Sequence, residues 1–242
     1  MRFPRFRLLL LLAALSLLGA CSFRPTTTLY RLDSGDPATP ERNGLAVLLG
    51  PVTLADYLQR DAALVQRHKD GSLSAAGNAR WAGNLKADID QLLLRQLAWR
   101  LDSHRLVAEP GTSGFKPDIQ VLLNITRLDS GPKQPAVLEA QWRLLDRRGR
   151  LGESRLVRLE EPHKGSSADQ VRAQSVVLQR LAEQLAAAIL PLAKQQAQAS
   201  ASAPEPRKSA RVTARPKAEA KQPPEPDIPI VSPTRDVKVF RF

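Results

Sequence analysis

The chain has 242 residues, with 36 Lys and Arg against 24 Asp and Glu, a formal charge of +12 and a single cysteine. One cysteine excludes a disulfide framework and any zinc site built on paired thiolates. Such a basic balance favours acidic partners or anionic surfaces.

Arg2, Arg5 and Arg7 precede an almost unbroken apolar run from Leu8 to Leu18. That run has the length of a signal-peptide core and is too short to span a bilayer as an isolated helix. It ends in Leu18-Gly19-Ala20-Cys21, which resembles the lipobox of bacterial lipoproteins, where the thiol is alkylated by a diacylglyceryl group before cleavage. Residues 1–20 are therefore expected to be a signal peptide and Cys21 the lipid attachment site. Several acyl chains make such an anchor effectively permanent. Ser22 stands where an aspartate would resemble an inner-membrane retention signal, so the expected location is the outer membrane, lipid-anchored and facing the periplasm. Export leaves no nucleic acid within reach; phospholipid, lipopolysaccharide, peptidoglycan and acidic protein faces remain as partners for the +9 left once the three signal arginines are removed.

The mature chain reads as three zones. Residues 21–44 form a lipidated tether rich in Pro, Thr, Gly and Asp, with a short strand at Thr28-Leu29-Tyr30-Arg31-Leu32. Residues 45–194 have the length of one domain. Residues 195–242 form a basic Pro/Ala/Lys-rich tail with too few apolar groups to offset the entropy of ordering, and are expected to be disordered.

Within the domain, Leu45 to Leu49 reads as a strand stopped by Gly50-Pro51. Asn78 to Leu101 reads as a helix, with Leu85, Ile89, Leu92, Leu93, Leu97 and Leu101 on one stripe. Asp118 to Leu128 alternates Ile119, Val121, Leu123 and Ile125 against polar residues, and Val137 to Leu145 does the same with Leu138, Ala140, Trp142 and Leu144. Asp146-Arg147-Arg148-Gly149 reads as a turn leading to a returning strand, Glu153 to Leu159. A second helix, from about Ser167 to Leu192, has Val171, Leu178, Leu181, Leu185, Ile189 and Leu192 on one stripe, Ser166 or Ser167 as N-cap, and Pro191 as its end. The pattern predicts a single α+β domain, a mixed or antiparallel sheet covered by two long amphipathic helices.

Catalytic chemistry has little support. His68, His104 and His163 stand at loop or boundary positions without partners at metal-ligand spacing, and there is no His-Glu-x-x-His, Gly-x-Ser-x-Gly or phosphate-loop motif. Asp88 and Asp90 are two apart on a helix and point to different faces. The reading is therefore of a protein that is not an enzyme and needs no cofactor or metal. Candidate partner-binding residues are Tyr57, Leu58 and Arg60, in a loop or edge segment, with Arg80 and Trp81 at the start of the first long helix. Aromatic and arginine anchors are common at interface hot spots, though Tyr57 and Trp81 read equally well as local packing. Trp142 reads as core, Trp99 as rim or core. The tail carries Arg207, Lys208, Arg211, Arg215, Lys217 and Lys221, which reads as a solvated spacer or a clamp on peptidoglycan or anionic lipid; its closing Asp236–Phe242 has weak strand character suited to a partner's sheet edge.

A series of segments resembles the PqiC-like auxiliary lipoproteins of ABC-type transport systems. It consists of the lipobox at Cys21, Thr28–Leu32, Gly50-Pro51-Val52, Asp56-Tyr57-Leu58-Gln59-Arg60, Leu64-Val65-Gln66-Arg67, Arg80-Trp81-Ala82 and Glu139–Leu144, in matching order as far as about Leu192. Ala55 replaces a usual proline before Asp-Tyr-Leu, and Asp61-Ala62-Ala63 a more typical proline-containing stretch. The resemblance implies an outer-membrane lipoprotein that works with an MCE-domain periplasmic protein and an ABC permease in lipid transport between the membranes. It also implies a role in envelope integrity and admits a homo-oligomeric ring. The competing reading is a structural lipoprotein linking the outer membrane to peptidoglycan through its basic tail.

Overall fold

The computed structural model describes residues 26–60, 62–109 and 114–201. The expected signal peptide, Cys21 and the tail beyond Ala201 lie outside the described residues. Eight strands form one mixed sheet: β1 (Thr28–Tyr30), β2 (Val47–Leu54), β3 (Ala63–Arg67), β4 (Leu73–Trp81), β5 (Leu106–Ala108), β6 (Ile119–Gly131), β7 (Gln134–Asp146) and β8 (Leu151–Glu161). A short helix, α1 (Asp56–Gln59), follows β2; the two long helices are α2 (Leu85–Arg100) and α3 (Ser167–Ala201). The domain is α+β, as the sequence pattern predicts.

Strand β6 is the hub. One of its edges takes β7 antiparallel from Ile119 to Gly131. The other takes β2 in parallel along Ile119–Ile125 and then, at Ser130, β3. Beyond β3 lie β4 and β1, and beyond β7 lies β8. Ile119, Val121, Leu123 and Ile125 are buried at alternate positions, as are Leu138, Ala140, Trp142 and Leu144 on β7. This is the period-two pattern of a sheet with one covered face. The cover is α2, through Leu85, Ile89, Leu92, Leu93 and Leu97, and α3, through Val171, Leu178, Leu181, Leu185 and Ile189. Val177, Ala182 and Ala186 widen the buried stripe of α3. That helix is long and apolar enough to cross a membrane, but its apolar stripe is buried in this core.

Several boundaries differ from the sequence expectation, each for a local reason. The helix expected from Asn78 begins at Leu85, because Leu73–Trp81 is a strand held between β1 and β3. Asn84 then caps α2, its side-chain oxygen accepting from the Ala87 N–H at 3.0 Å. Arg80 and Trp81 accordingly close a strand and do not open the helix. Strand β2 does not stop at Gly50-Pro51; it bulges there, where Pro51 has no N–H to give, and resumes at Val52. Pro191 does not end α3, which continues through the strong helix formers Leu192–Ala199 to Ala201. Gly152 leaves room for this continuation, since a Cβ there would stand 2.7 Å from Leu192 Cδ2. Residues 195–201 thus belong to the helix and not to the tail. Ser166 is the N-cap of α3, its hydroxyl accepting from the Asp169 N–H at 3.1 Å.

From Tyr30 to Arg42 the segment before β2 is a strap bonded to the helices. The Tyr30 carbonyl accepts from the Ala82 N–H at 2.7 Å, and Arg31 grips Asp88 on α2 with Nη2 at 2.7 Å from Oδ1. The Asp33 N–H donates to Ser175 Oγ on α3 at 3.0 Å, and Gln96 Nε2 on α2 donates to the Ser34 carbonyl at 2.6 Å. Further along, the Glu41 N–H meets Asp102 Oδ1 at 2.8 Å, and the Arg42 carbonyl accepts from His104.

The junction of the hub with β3 has no room for a side chain. A Cβ on Gly131 would lie 2.1 Å from the Arg67 carbonyl oxygen. Gly131→Ala must push β3 off β6, and a loss of about 1–3 kcal/mol or more is expected, read by urea unfolding. Wild-type stability in that variant would refute the tight junction.

Candidate functional site

Where β6 changes partner from β2 to β3, a carboxylate is buried. Asp129 is fully inaccessible, and both its oxygens are filled. Arg67 on β3 forks onto it, Nε at 3.0 Å from Oδ1 and Nη2 at 2.7 Å from Oδ2. Arg127 Nε donates to Oδ1 at 3.0 Å, and the Tyr57 hydroxyl to Oδ2 at 2.9 Å. Tyr57 also accepts from the Leu128 N–H at 3.2 Å. Arg127 continues outward to Glu139, and Arg158 on β8 bonds both Glu139 and Glu160. A chain of alternating charge thus runs from the hub to the outer strand.

Burial alone pushes the Asp129 carboxyl up, but the hydrogen bonds from Arg67, Tyr57 and Arg127 outweigh it and hold the carboxyl below its ordinary range. Burial is also the main force on Tyr57, and with the Asp129 charge it lifts the phenol to about 12 against the opposing Leu128 N–H. Tyr57 therefore stays protonated and acts as a donor. Behind Asp129, on the helix side, Ser130 Oγ donates to Gln170 and accepts from Gln174 Nε2 at 3.0 Å, while Gln66 reaches Gln170 at 3.2 Å. The buried hydroxyl has amide partners and no base beside it. This constellation holds strands together; it has no nucleophile paired with a base.

The five sequence-selected partner residues do not share one surface. Tyr57 is half-buried on Asp129. Leu58, its neighbour on α1, turns into the core, as does Trp81. Leu58 and Trp81 form the floor of an open groove of about 420 Å3, shared with Leu54, Gln59, Asn84 and Lys86. Arg60 is exposed after α1. Arg80 is exposed on the sheet face opposite Trp81, opposite Leu29 in register. The histidines are scattered: His68 bonds Ser74 Oγ, His104 is exposed, and His163 Nδ1 accepts from the Gly165 N–H. Asp88 and Asp90 do part ways, to Arg31 and Lys86. Among the described residues no group of three His, Cys, Asp or Glu converges as a metal would need. Trp142 is core, and Trp99 is rim, with Arg100 over its ring at 4.9 Å.

Sequence reading missed Asp129, Arg127 and the Ser130–Gln170–Gln174 set. A signal was present: the apolar alternation of β6 slips by one residue between Ile125 and Leu128, and an acid follows directly. Ending the strand at Leu128 hid it. Asp129→Ala leaves two guanidinium groups without their carboxylate and is expected to cost about 3–5 kcal/mol; Tyr57→Phe should cost about 1–2 kcal/mol. Urea titrations at neutral pH check both. The Asp129 contribution is fully present above the unfolded carboxylate value of 3.8 and is lost as pH falls through the lower folded value. The Tyr57 contribution is present below 10.0 and lost as pH rises towards about 12. Asp129→Asn should flatten the acid limb of the stability curve and, because burial is the main force on Tyr57, shift the alkaline limb only slightly towards lower pH.

Two solved structures share the fold. A crystal structure of an uncharacterized protein superposes with a TM-score of 0.55 at 20% identity, covering 68% of this chain and 99% of the other. The protein XCC0632 from Xanthomonas campestris, of the DUF330 family, gives a TM-score of 0.55 at 18% identity, over 72% of this chain and 97% of its own. A comparison with functionally curated proteins found no match. A family model described as the ABC-type transport auxiliary lipoprotein component matches residues 30–186, from the strap to the middle of α3 and through every strand around Asp129. The chain belongs to the ABC-type transport auxiliary lipoprotein component family.

Proposed function

We propose that this protein is the outer-membrane-anchored, periplasm-facing docking subunit of an MCE-type ABC system that moves lipids between the membranes and supports envelope integrity. The observation that carries the reading is the family match over residues 30–186, which makes the folded body an auxiliary component of ABC-type transport. The lipobox at Cys21 and Ser22 after it support the outer membrane as the site of anchorage. The buried charges support a non-covalent role, since Asp129, Arg67 and Arg127 are spent on one another. The groove over Leu58 and Trp81 is the surface offered to the MCE-domain partner. Its apolar floor and polar rim of Gln59, Asn84 and Lys86 resemble the make-up of small protein-docking sites.

Pull-down of the lipidated chain in mild detergent should recover an MCE-domain protein. Lys86→Glu with Gln59→Arg, both at the rim and outside the core, should cut that recovery about tenfold. Removing residues 202–242 should leave it unchanged. Failure to recover any MCE-domain protein with Cys21 intact would sink the proposal. Cys21→Ala is expected to release a folded, soluble domain from the outer-membrane fraction, as judged by fractionation and circular dichroism.

A further inference from the structure

The strap determines how much slack an anchored domain has. Thr28 is the first residue of β1, paired with Ala79. Only seven peptide steps separate it from Cys21. At about 3.3–3.6 Å per residue they span at most roughly 25 Å. A body of this length is roughly 40 Å across. Such a leash keeps the β1 border within about 25 Å of the bilayer, whereas β8, five strand spacings of about 4.8 Å beyond it, is free to stand roughly twice as far off.

That border has the chemistry for an anionic lipid surface. Leu29 is 61% exposed in the edge strand, and the exposed Arg80 stands opposite it in register. Two residues on, Arg31 is 67% exposed with its charged end on Asp88. Arg95 joins Arg31 in a groove of about 200 Å3 lined also by Gln91 and the strap residues Leu32–Gly35. The acids there are Asp88, which is buried and paired with Arg31, and Asp33, whose backbone is held by α3. Arginines with aliphatic stems beside an exposed leucine suit the boundary between head groups and acyl chains.

We propose that the β1 border lies edge-on against the anionic phospholipid surface that carries the lipid anchor, with Leu29 and Arg80 on the uncovered face of the edge and Arg31 and Arg95 on its helix side. The inference rests on lipidation of Cys21 and adds an orientation to it. The test uses the full lipidated chain in vesicles of phosphatidylethanolamine and phosphatidylglycerol. Leu29→Cys and Leu156→Cys are each labelled with a polarity-sensitive fluorophore, the Cys21 sulfur being occupied by lipid. Leu156 is 78% exposed on β8, at the other end of the sheet. Spin-labelled lipid should quench the probe at position 29 several-fold more than at 156. Arg80→Glu should bring the quenching at the two positions to within about twofold of each other, with an unchanged melting curve. Equal quenching at both positions, in protein that floats with the vesicles, overturns the orientation alone. Protein that does not float overturns the lipidation reading and the orientation with it.

Discussion

The domain depends on one carboxylate being neutralised where its central strand exchanges neighbours. β6 is paired on one side with β2 and then, a few residues on, with β3. At that exchange the ladder is interrupted, and side chains join the elements in its place. Asp129 gathers Arg67 from β3, Arg127 from its own strand and Tyr57 from α1. Breaking a buried pair on one side costs far more than a surface ion pair contributes, because the remaining charge has no water to turn to. The cluster therefore acts as a lock between two halves of a sheet that share only a single register pair at Gln66 and Ser130. α1 fits the same notch from both sides, with Tyr57 on the acid and Leu58 in the core.

The lock accounts for why the segments that carry the family resemblance lie where they do. Tyr57 and Arg67 come from two of those segments, and Glu139 at the start of a third extends the chain of charges through Arg127 and Arg158. A residue pattern that resembles a docking motif in one dimension is here largely a folding device. What remains for contact is the outer rim of Gln59 and Lys86 at the groove, the exposed Arg60 after α1, and Arg80 on the opposite sheet face.

The long, regularly patterned elements were legible because burial imposes period. The alternation in β6 and β7 and the stripes of α2 and α3 follow directly from which side faces the core. β3, β4 and β5 were not legible. Leu73–Trp81 holds Ala, Gly, Ser and Asn with little alternation, and it is a strand because β1 and β3 pair with it. The C-terminal turns of α3 were not legible because Pro191 signals a stop, a signal that the helix formers after it and the space Gly152 leaves for Leu192 override. At the candidate site, Tyr57, Leu58 and Trp81 were selected by residue type, but their direction was not readable. Adjacent residues point to opposite faces on a strand and about 100° apart on a helix, and only the fold says which direction is in. Asp129 was hidden by a bulge that shifted the phase of its strand.

The border strand β8 pairs with β7 and with no other strand among the described residues, so along its eleven residues one flank has no strand partner there, though Arg180 on α3 donates to the Glu160 carbonyl. An open flank of that length is a template on which further chains can stack. Here it is studded with Glu153, Arg155, Arg158 and Glu160, which are tied to neighbours along or across the strand. Any incoming strand would have to strip these charges of water before gaining its backbone bonds. Molecules confined to a two-dimensional film by a greasy anchor meet far more often than molecules in solution. Were the proposed anchor to confine copies of this domain to such a film, the fringe of tethered charge would work against fibre growth.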